Sequence, residues 1–441
     1  MVPRRGRTVT KRRTLQLAAF LTAGALALAG CAPGQPATTT EPAPGPQSAA
    51  PDAPRELTYV YFTDGPDEQA TRDLIAQFEQ ANDAKVTLEV VPYANLEQTL
   101  QARLAGNNAP DVARVAGLGP WLEDLADLSA VKDELDGQFI AGSDAFTHDA
   151  SGNPIAVFSD LTMNGPLVNV DLFEKAGVSY PKLGEKWTWD EMVAAAKQVK
   201  ESQGTEYGIA IDISAHRLST MFSQYGTTLF AGDGMEPNWD VAKGATAIEQ
   251  FVTLNNDEVM PKDVFLQAGS KYAAPADVFL AQQVPVYISG NWQVASLSSK
   301  ANFTWAAAPN PCAERCGGFP GGKFMVGFEQ GKNVPLASEF IAFMNSAEAQ
   351  THMAVEANFL PTRNDLIEQG IEYTNRGDDM KVFLADVALT PDDTYPANFS
   401  PVFGATGREV IAEIGQVMQG GKTAQEASEA IRTVVETNAA G

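Results

Sequence analysis

The chain has 441 residues and a formal net charge of −24, with 44% apolar and 20% charged residues. So acidic a surface repels nucleic acid and anionic lipid headgroups, which excludes nucleic-acid binding and electrostatic docking on a membrane. The apolar fraction is that of an ordinary globular protein, and the length is enough for two substantial lobes.

Arg4, Arg5, Arg7, Lys11, Arg12 and Arg13 form a positive start that contains no acid. Leu15 to Leu28 is apolar apart from Gln16 and Thr22, and is too short to span a bilayer comfortably as a mature helix. Leu28-Ala29-Gly30-Cys31 follows. This succession resembles a bacterial lipoprotein signal, in which processing cuts before the cysteine and lipid is attached to its sulfur and nitrogen. The competing reading is a plain secretory signal with an incidental cysteine. Lys11-Arg12-Arg13-Thr14-Leu15 also resembles, weakly, a twin-arginine export signal. Several acyl chains on Cys31 would hold the protein stably, at about 0.8 kcal/mol per buried CH2. Removing residues 1–30 takes away six positive charges and no negative one, so −24 becomes −30. Residues 31–54 are rich in Pro, Ala, Thr and Gly, cannot bury a core, and read as a flexible linker.

Order is expected from Leu57-Thr58-Tyr59-Val60-Tyr61-Phe62, a β-rich run broken by Thr63-Asp64-Gly65-Pro66. Leu74, Ile75, Phe78 and Ala81 share a helical face. Val86 to Val91 reads as a second strand. Leu96, Leu100 and Leu104 line a second helix, stopped by Gly106-Asn107-Asn108. Pro110 to Val115 reads as a third strand. This alternation predicts an α/β layer with a mostly parallel sheet, whose ligands sit at the carboxyl ends of strands. The loops there are Thr63–Pro66 and Ala116–Pro120.

Asn153 to Phe158 and Thr162 to Val168 are apolar strand candidates, followed by Asn169-Val170-Asp171-Leu172-Phe173-Glu174-Lys175-Ala176-Gly177-Val178 and Trp187-Thr188-Trp189-Asp190-Glu191. Asp277 to Gln282 reads as a short helix. Val284 to Ile288 reads as a strand ended by the breaker Ser289-Gly290-Asn291, with Trp292 beyond it. Phe303 to Pro309, Phe319-Pro320-Gly321-Gly322 and Leu360-Pro361-Thr362-Arg363 follow. Together these stretches resemble the sugar-type extracellular solute-binding proteins of ABC importers, the maltose-binding protein superfamily. No single motif carries the resemblance; the order and spacing from residue 57 onward do. Thr188 with Glu191, and Thr423 with Glu426, read independently as capping boxes. Val410, Ile411, Ile414, Val417 and Met418 share one face near the end, and Ala427, Ala430, Ile431, Val434 and Val435 another.

Cys312 and Cys316 are not a general feature of that family. In an exported protein they read as a local disulfide, the alternative being half of a metal site lacking nearby ligands. His148, His216 and His352 are isolated in sequence and are expected at the surface.

The resemblance implies a two-lobed α/β fold of the periplasmic-binding-protein type, with a ligand cleft between lobes joined by a multi-strand hinge. Lobe one is expected at 55–160 plus 310–378, and lobe two at 163–307 plus 381–441. It also implies the substrate-binding component of an ABC transporter, lipid-anchored outside the cytoplasm and monomeric. Such a protein would capture a di- or oligosaccharide by closure and deliver it to permease subunits. Two alternatives stand beside it: a secreted lipoprotein glycosidase, and a receptor for a non-sugar solute such as a glycerophosphodiester. No phosphate loop, metal-ligand cluster or Gly-x-Ser-x-Gly elbow appears in the sequence, so no cofactor, metal or catalytic residue is assigned.

A sugar offers hydroxyls, met by carboxylates and Arg, and an apolar C–H face, met by an aromatic ring. Trp292 is the first choice for that ring, because the family often stacks its ligand at this position; the alternative is a core Trp. Asp64, with Gly65 beside it, and Asp111 end or follow strands, and would bind hydroxyls or cap turns. Asp160 stands at the first crossover, where the family often carries a ligand-binding acid. Arg114 and Arg363 would reach a sugar or form structural ion pairs. Tyr225 and Trp239 lie in loops of the second lobe, as site or core. Gly321 and Gly322 would let backbone approach the ligand.

The lipid assignment is tested at Cys31. Cys31→Ser should leave an uncleaved or soluble precursor, read by fractionation and lipid labelling. A Cys31→Ser protein still labelled and membrane-bound would remove the assignment.

Overall fold

The computed structural model describes residues 54–140, 142–211, 214–256, 259–261 and 274–440. The signal, Cys31 and the linker up to residue 53 lie outside the described residues.

The strands are β1 (Glu56–Tyr61), β2 (Lys85–Val90), β3 (Val112–Val115), β4 (Ala156–Asn169), β5 (Ile209–Ile211), β6 (Phe230–Ala231), β7 (Glu236–Pro237), β8 (Val286–Gly290), β9 (Trp305–Ala307) and β10 (Pro320–Gly327). β1 pairs in parallel with β2 and β3, which extends the first three expected strands into one layer. The helix between β1 and β2 is Glu68–Asn82; it buries Leu74, Ile75 and Phe78, as its period requires, but leaves Ala81 exposed. Tyr93–Ala105 buries Leu96 and Leu100 and ends at Gly106.

The large sheet runs β2-β1-β3-β10-β4-β8-β5, with β9 also on β4. The two apolar stretches expected around residue 160 are one strand, β4. It is buried at every position but Ser159, and such a two-sided strand reads as an almost continuous apolar run. Its first part, Ala156 to Met163, pairs antiparallel with β10. From Asn164 on it pairs with β8, and from Leu167 with β9. The protein is thus two-lobed, and β4 belongs to both halves of the sheet.

The change of partner leaves the Met163 backbone to be satisfied locally. Asn291 does this: its Oδ1 accepts the Met163 N–H at 2.9 Å, and its own N–H donates to the Met163 carbonyl at 3.1 Å. The expected breaker Ser289-Gly290-Asn291 is therefore not a break. β8 runs through Gly290, because Asn164 and Gly165 hold Gly290 and Ser289 in register.

A helix, Gly377–Leu389, seals the junction. Asp379 accepts the Ala307 N–H at 2.6 Å. Asp386 accepts from both the N–H and the Nδ2 of Asn310, at 2.9 and 3.0 Å. Asn310 Nδ2 also donates to the Asn164 carbonyl. The helices at the end, Phe403–Met418 and Ala424–Ala439, bury Val410, Ile414 and Met418 and Ala427, Ile431 and Val435. Both expected capping boxes are formed, at Thr188/Glu191 and Thr423/Glu426.

Cys312 and Cys316 are joined by a disulfide. The short loop it closes is pinned at both ends. The Cys312 N–H donates to the Trp187 carbonyl at 2.8 Å, and Arg315 donates to the Ser223 carbonyl and pairs with Asp393 at 2.8 Å.

Burial pushes the Asp386 carboxyl up to about 7, although Asn310 donates to it. A carboxyl raised in the fold holds its proton more tightly there than in the unfolded chain. Its stabilising contribution is complete below about pH 4 and is lost as pH rises towards about 7. Asp386→Asn keeps an acceptor for Asn310 and should flatten this part of the profile, so that the variant gains on the parent at pH 8. Parallel urea-denaturation profiles for the two proteins from pH 4 to 8 would rule this out.

Candidate functional site

A cleft of about 420 Å³ opens beside the point where β4 changes partner. This volume is in the range of small-molecule sites. Its walls come from loops after strands in both halves of the sheet. Asp64 follows β1, Tyr93 opens the helix after β2, and Ala116 follows β3. Thr162 and Asn164 come from β4 itself. Ser214, His216 and Arg217 follow β5, Trp292 follows β8, and Phe319, Gly321, Gly322 and Lys323 enter or lie on β10. The parallel strands thus aim their carboxyl ends at the cleft, as α/β sheets do.

Asp64 is held from beneath. Arg114, 2% exposed, donates from Nη2 to Asp64 at 2.7 Å and to Asp160 at 2.9 Å, and from Nη1 to the Phe62 carbonyl at 2.8 Å. The rings of Phe62, Phe359 and Tyr61 surround the guanidinium at 4.5, 5.0 and 5.2 Å. The loop carrying Asp64 is fixed by Asp67, whose carboxylate accepts the N–H groups of Asp64 and Gly65 and the Tyr61 hydroxyl. Lys323 Nζ approaches Asp64 at 3.6 Å from the cleft side. Burial pushes the Asp64 carboxyl up, but Lys323 and Arg114 outweigh it and hold it below the usual carboxylate range. A separate cavity of about 30 Å³ lies on the inner side of Arg114, among Tyr59, Ser159 and Asp160. That is room for about one water molecule.

Trp292 is half-buried and lines the cleft. Its ring lies over Gly290, where a Cβ would come within 2.0 Å of it, so only glycine fits there. The Arg217 guanidinium stands 4.4 Å from the ring centroid, a cation–π contact on the surface the sequence assigns to the ligand. Tyr93 is 60% exposed and leans on Phe62, with ring centroids 5.0 Å apart. His216, expected at the surface, is half-buried: Nε2 meets Asn398 Oδ1 at 2.7 Å, and the ring packs on Phe403 and Phe319. Burial and the neighbouring Arg217 lower it to about 3, so it is neutral at physiological pH.

Asp64, Trp292, Gly321 and Gly322 are thus brought together at the cleft, with Gly65 beside Asp64. Gly321 and Gly322 also answer a packing demand, since a Cβ would stand 2.4 Å from Thr162 Oγ1 and 2.0 Å from the Phe158 ring respectively. Arg114 and Asp160 lie one layer below. The other four sequence candidates are elsewhere. Asp111 precedes β3, at the amino end, where it accepts the N–H groups of Thr58 and Asn333. Arg363 pairs with Asp365 and donates to Gln138. Trp239 is core: its indole donates to Ser428 and its ring meets Phe222 edge-on. Tyr225 caps the helix Ala215–Gln224 and packs beside the same core. Sequence reading missed Tyr93, Thr162, Asn164, Arg217 and Lys323 as lining residues. Tyr93 had a signal, an aromatic opening the helix after β2; the others had none. Among the described residues, no group of three or more His, Cys, Asp or Glu is arranged to hold a metal ion.

Residues 63–351 match the family described as bacterial extracellular solute-binding protein. No curated protein matches the chain. Among solved structures, the ABC substrate-binding protein Lmo0181 from Listeria monocytogenes, in complex with cycloalternan, is 19% identical, with a TM-score of 0.70 over 87% of this chain and 99% of that one. The GacH receptor of Streptomyces glaucescens, solved unliganded and with acarbose, is 19% identical, with a TM-score of 0.70 over 86% and 98%. Maltose-bound MalE3 of T. maritima is 17% identical, with a TM-score of 0.71 over 87% and 99%. At these identities the likeness is one of fold.

Arg114 gives a direct test of the layer beneath the cleft. Arg114→Met leaves Asp160 as an unpaired buried charge and should cost about 3–5 kcal/mol in urea denaturation. Adding Asp160→Leu should recover part of that loss. A single variant as stable as the parent would show that the pair does not hold the cleft floor.

Proposed function

The chain belongs to the bacterial extracellular solute-binding proteins, and from that premise we propose that it is the lipid-anchored substrate-binding component of an ABC importer. It captures a di- or oligosaccharide by closure of the cleft and delivers it to membrane permease subunits. The observation that carries this reading is the cleft of about 420 Å³, lined from both halves of the sheet, with Asp64, Tyr93 and Trp292 on its walls. The lobes are taken as 55–160 plus 310–378 and 163–307 plus 381–441. A solute touching both is bound better by the closed state and shifts the open–closed equilibrium towards it. Similar structures are described with cycloalternan, acarbose and maltose, which supports a carbohydrate ligand. The basic start, apolar run and Leu28-Ala29-Gly30-Cys31 support lipid anchoring outside the cytoplasm. Among the described residues, no helix is long and apolar enough to cross a membrane. The reading assigns no catalysis: a glycosidase needs two carboxylates flanking one bond, and Asp64 is the one carboxylate among the described cleft residues.

A thermal-shift screen against saccharides tests the ligand class, since a bound ligand stabilises by RT ln(1 + [L]/Kd). A panel in which no saccharide raises the melting temperature would sink it. Trp292→Ala should then weaken the identified saccharide by roughly 2–4 kcal/mol, as a buried aromatic anchor does. The unliganded fold should lose less than the roughly 3–5 kcal/mol of a core Trp. Calorimetry with ligand and denaturant melting without it decide: unchanged affinity with a large loss of stability would make Trp292 a core residue.

A further inference from the structure

Thr394–Phe399 is a short helix between helix Gly377–Leu389 and helix Phe403–Met418. Together with the residues after it, to Pro401, it touches both lobes. Its root is in the second. Ala397 is buried in the core that also holds Phe222, Phe230 and Ile414. A Cβ on Gly234, in the turn between β6 and β7, would come within 3.1 Å of the Pro396 carbonyl oxygen and 3.0 Å of Ser400 Cα. Asn398 meets His216, on the second-lobe wall of the cleft, at 2.7 Å.

Phe399 reaches into the first lobe. Its ring meets Phe158 and Phe324 edge-on, with centroids 5.0 and 5.6 Å away, and Phe146 at 5.2 Å. Phe158 lies on the first part of β4, Phe324 is its partner on β10, and Phe146 belongs to the short helix Asp144–Thr147. Two residues beyond Phe399, the Pro401 carbonyl oxygen lies against Gly119, in the loop after β3, where a Cβ would stand 1.9 Å from it. Gly119 does not have the positive φ that favours glycine, so it is the approach of Pro401 that calls for glycine there. Neither Phe399 nor Pro401 is among the described residues that line the cleft. These contacts therefore join lobe to lobe without passing through a solute. Parting the lobes would draw Phe399 from its socket and give the apolar rings back to water.

We propose that Thr394 to Pro401 is a clasp between the lobes, in which Phe399, seated among Phe146, Phe158 and Phe324, stabilises the closed state and populates it before any solute binds. This rests on the closure reading above and deepens it. The apparent Kd of a solute is its intrinsic Kd divided by the fraction of molecules already competent to bind. Phe399 is thus a positioning residue: it sets affinity through the lobe equilibrium and not by touching the solute.

The test uses the full-length protein in detergent, with no sugar added. Ala102, on the first-lobe helix Tyr93–Ala105, and Ser299, on the second-lobe helix Gln293–Lys300, are both exposed. Replacing each by p-acetylphenylalanine lets a dye pair be attached without using cysteine, and single-molecule energy transfer then counts open and closed molecules. The parent should contain closed molecules. Phe399→Ala should lower the closed-to-open ratio by about fivefold or more, because three ring contacts are lost. Gly119→Ala, whose added methyl must push Pro401 away, should lower it by about threefold or more. Phe399→Leu, still apolar and filling much of the socket, should stay within about threefold of the parent. Melting temperatures check that each variant is folded, and if Phe399→Ala is not, Gly119→Ala decides alone. A parent found only open, or folded variants as closed as the parent, overturns the inference. The closure reading falls with it only if no saccharide in the panel above changes the energy transfer of the parent.

Discussion

The cleft exists because one strand is hydrogen-bonded to two half-sheets in succession. β4 spans Ala156 to Asn169 and changes partner between Met163 and Asn164. A buried backbone cannot leave its N–H and C=O groups unmet at such a point. Three asparagines solve this. Asn291 pairs with both backbone groups of Met163. Asn164 ties β4 to the Phe319 N–H and the His216 carbonyl. Asn310 carries the Asn164 carbonyl over to Asp386 on the sealing helix. Amides suit the place because each supplies donors and an acceptor from one short, uncharged side chain.

On the first-lobe side the problem is electrostatic. Asp64 and Asp160 both lie close to the sheet, and burying two carboxylates is costly without a partner. Arg114 supplies it, with its fork shared between the two acids and its faces covered by aromatic rings. This holds Asp64 at the cleft floor with its charge already partly met. On the other side the Arg217 guanidinium lies over the Trp292 ring.

The two halves of the site also come close to one another beyond the ligand space. A Cβ on Gly65, in the loop after β1, would sit 3.7 Å from Ser296, on the helix that follows Trp292. The disulfide loop Cys312–Cys316 is bound to the segment before Thr188 and, through Arg315, to Asp393. It therefore braces the connection between β9 and β10 against those two segments. Helix Gly377–Leu389 makes a parallel connection with its own buried acids, Asp379 and Asp386.

The local code was sufficient for much of this. The β-rich run at Leu57, the period-3.6 faces at Leu74 and Leu96, and the Thr-x-x-Glu caps are short-range patterns, and the corresponding elements form where the sequence puts them. The carboxyl-end rule likewise pointed to the loop at Asp64 and to the residue after β8, Trp292. What short-range patterns cannot hold is which side chain meets which across the fold. Asp64, Asp111 and Asp160 look alike in sequence; pairing partners more than 40 residues away make one a cleft wall, one a turn anchor and one a buried counter-ion. Trp239 and Trp292 are equally apolar, yet Ser428 claims the first for the core, and Gly290 lets the second lie at the cleft. His216 is isolated along the chain but partly covered by Phe319, Asn398 and Phe403. Elements follow from neighbours three or four residues apart, and these the sequence by itself determined. The cleft's inventory of charge and donors depends on contacts between distant segments, and those only the tertiary structure decided.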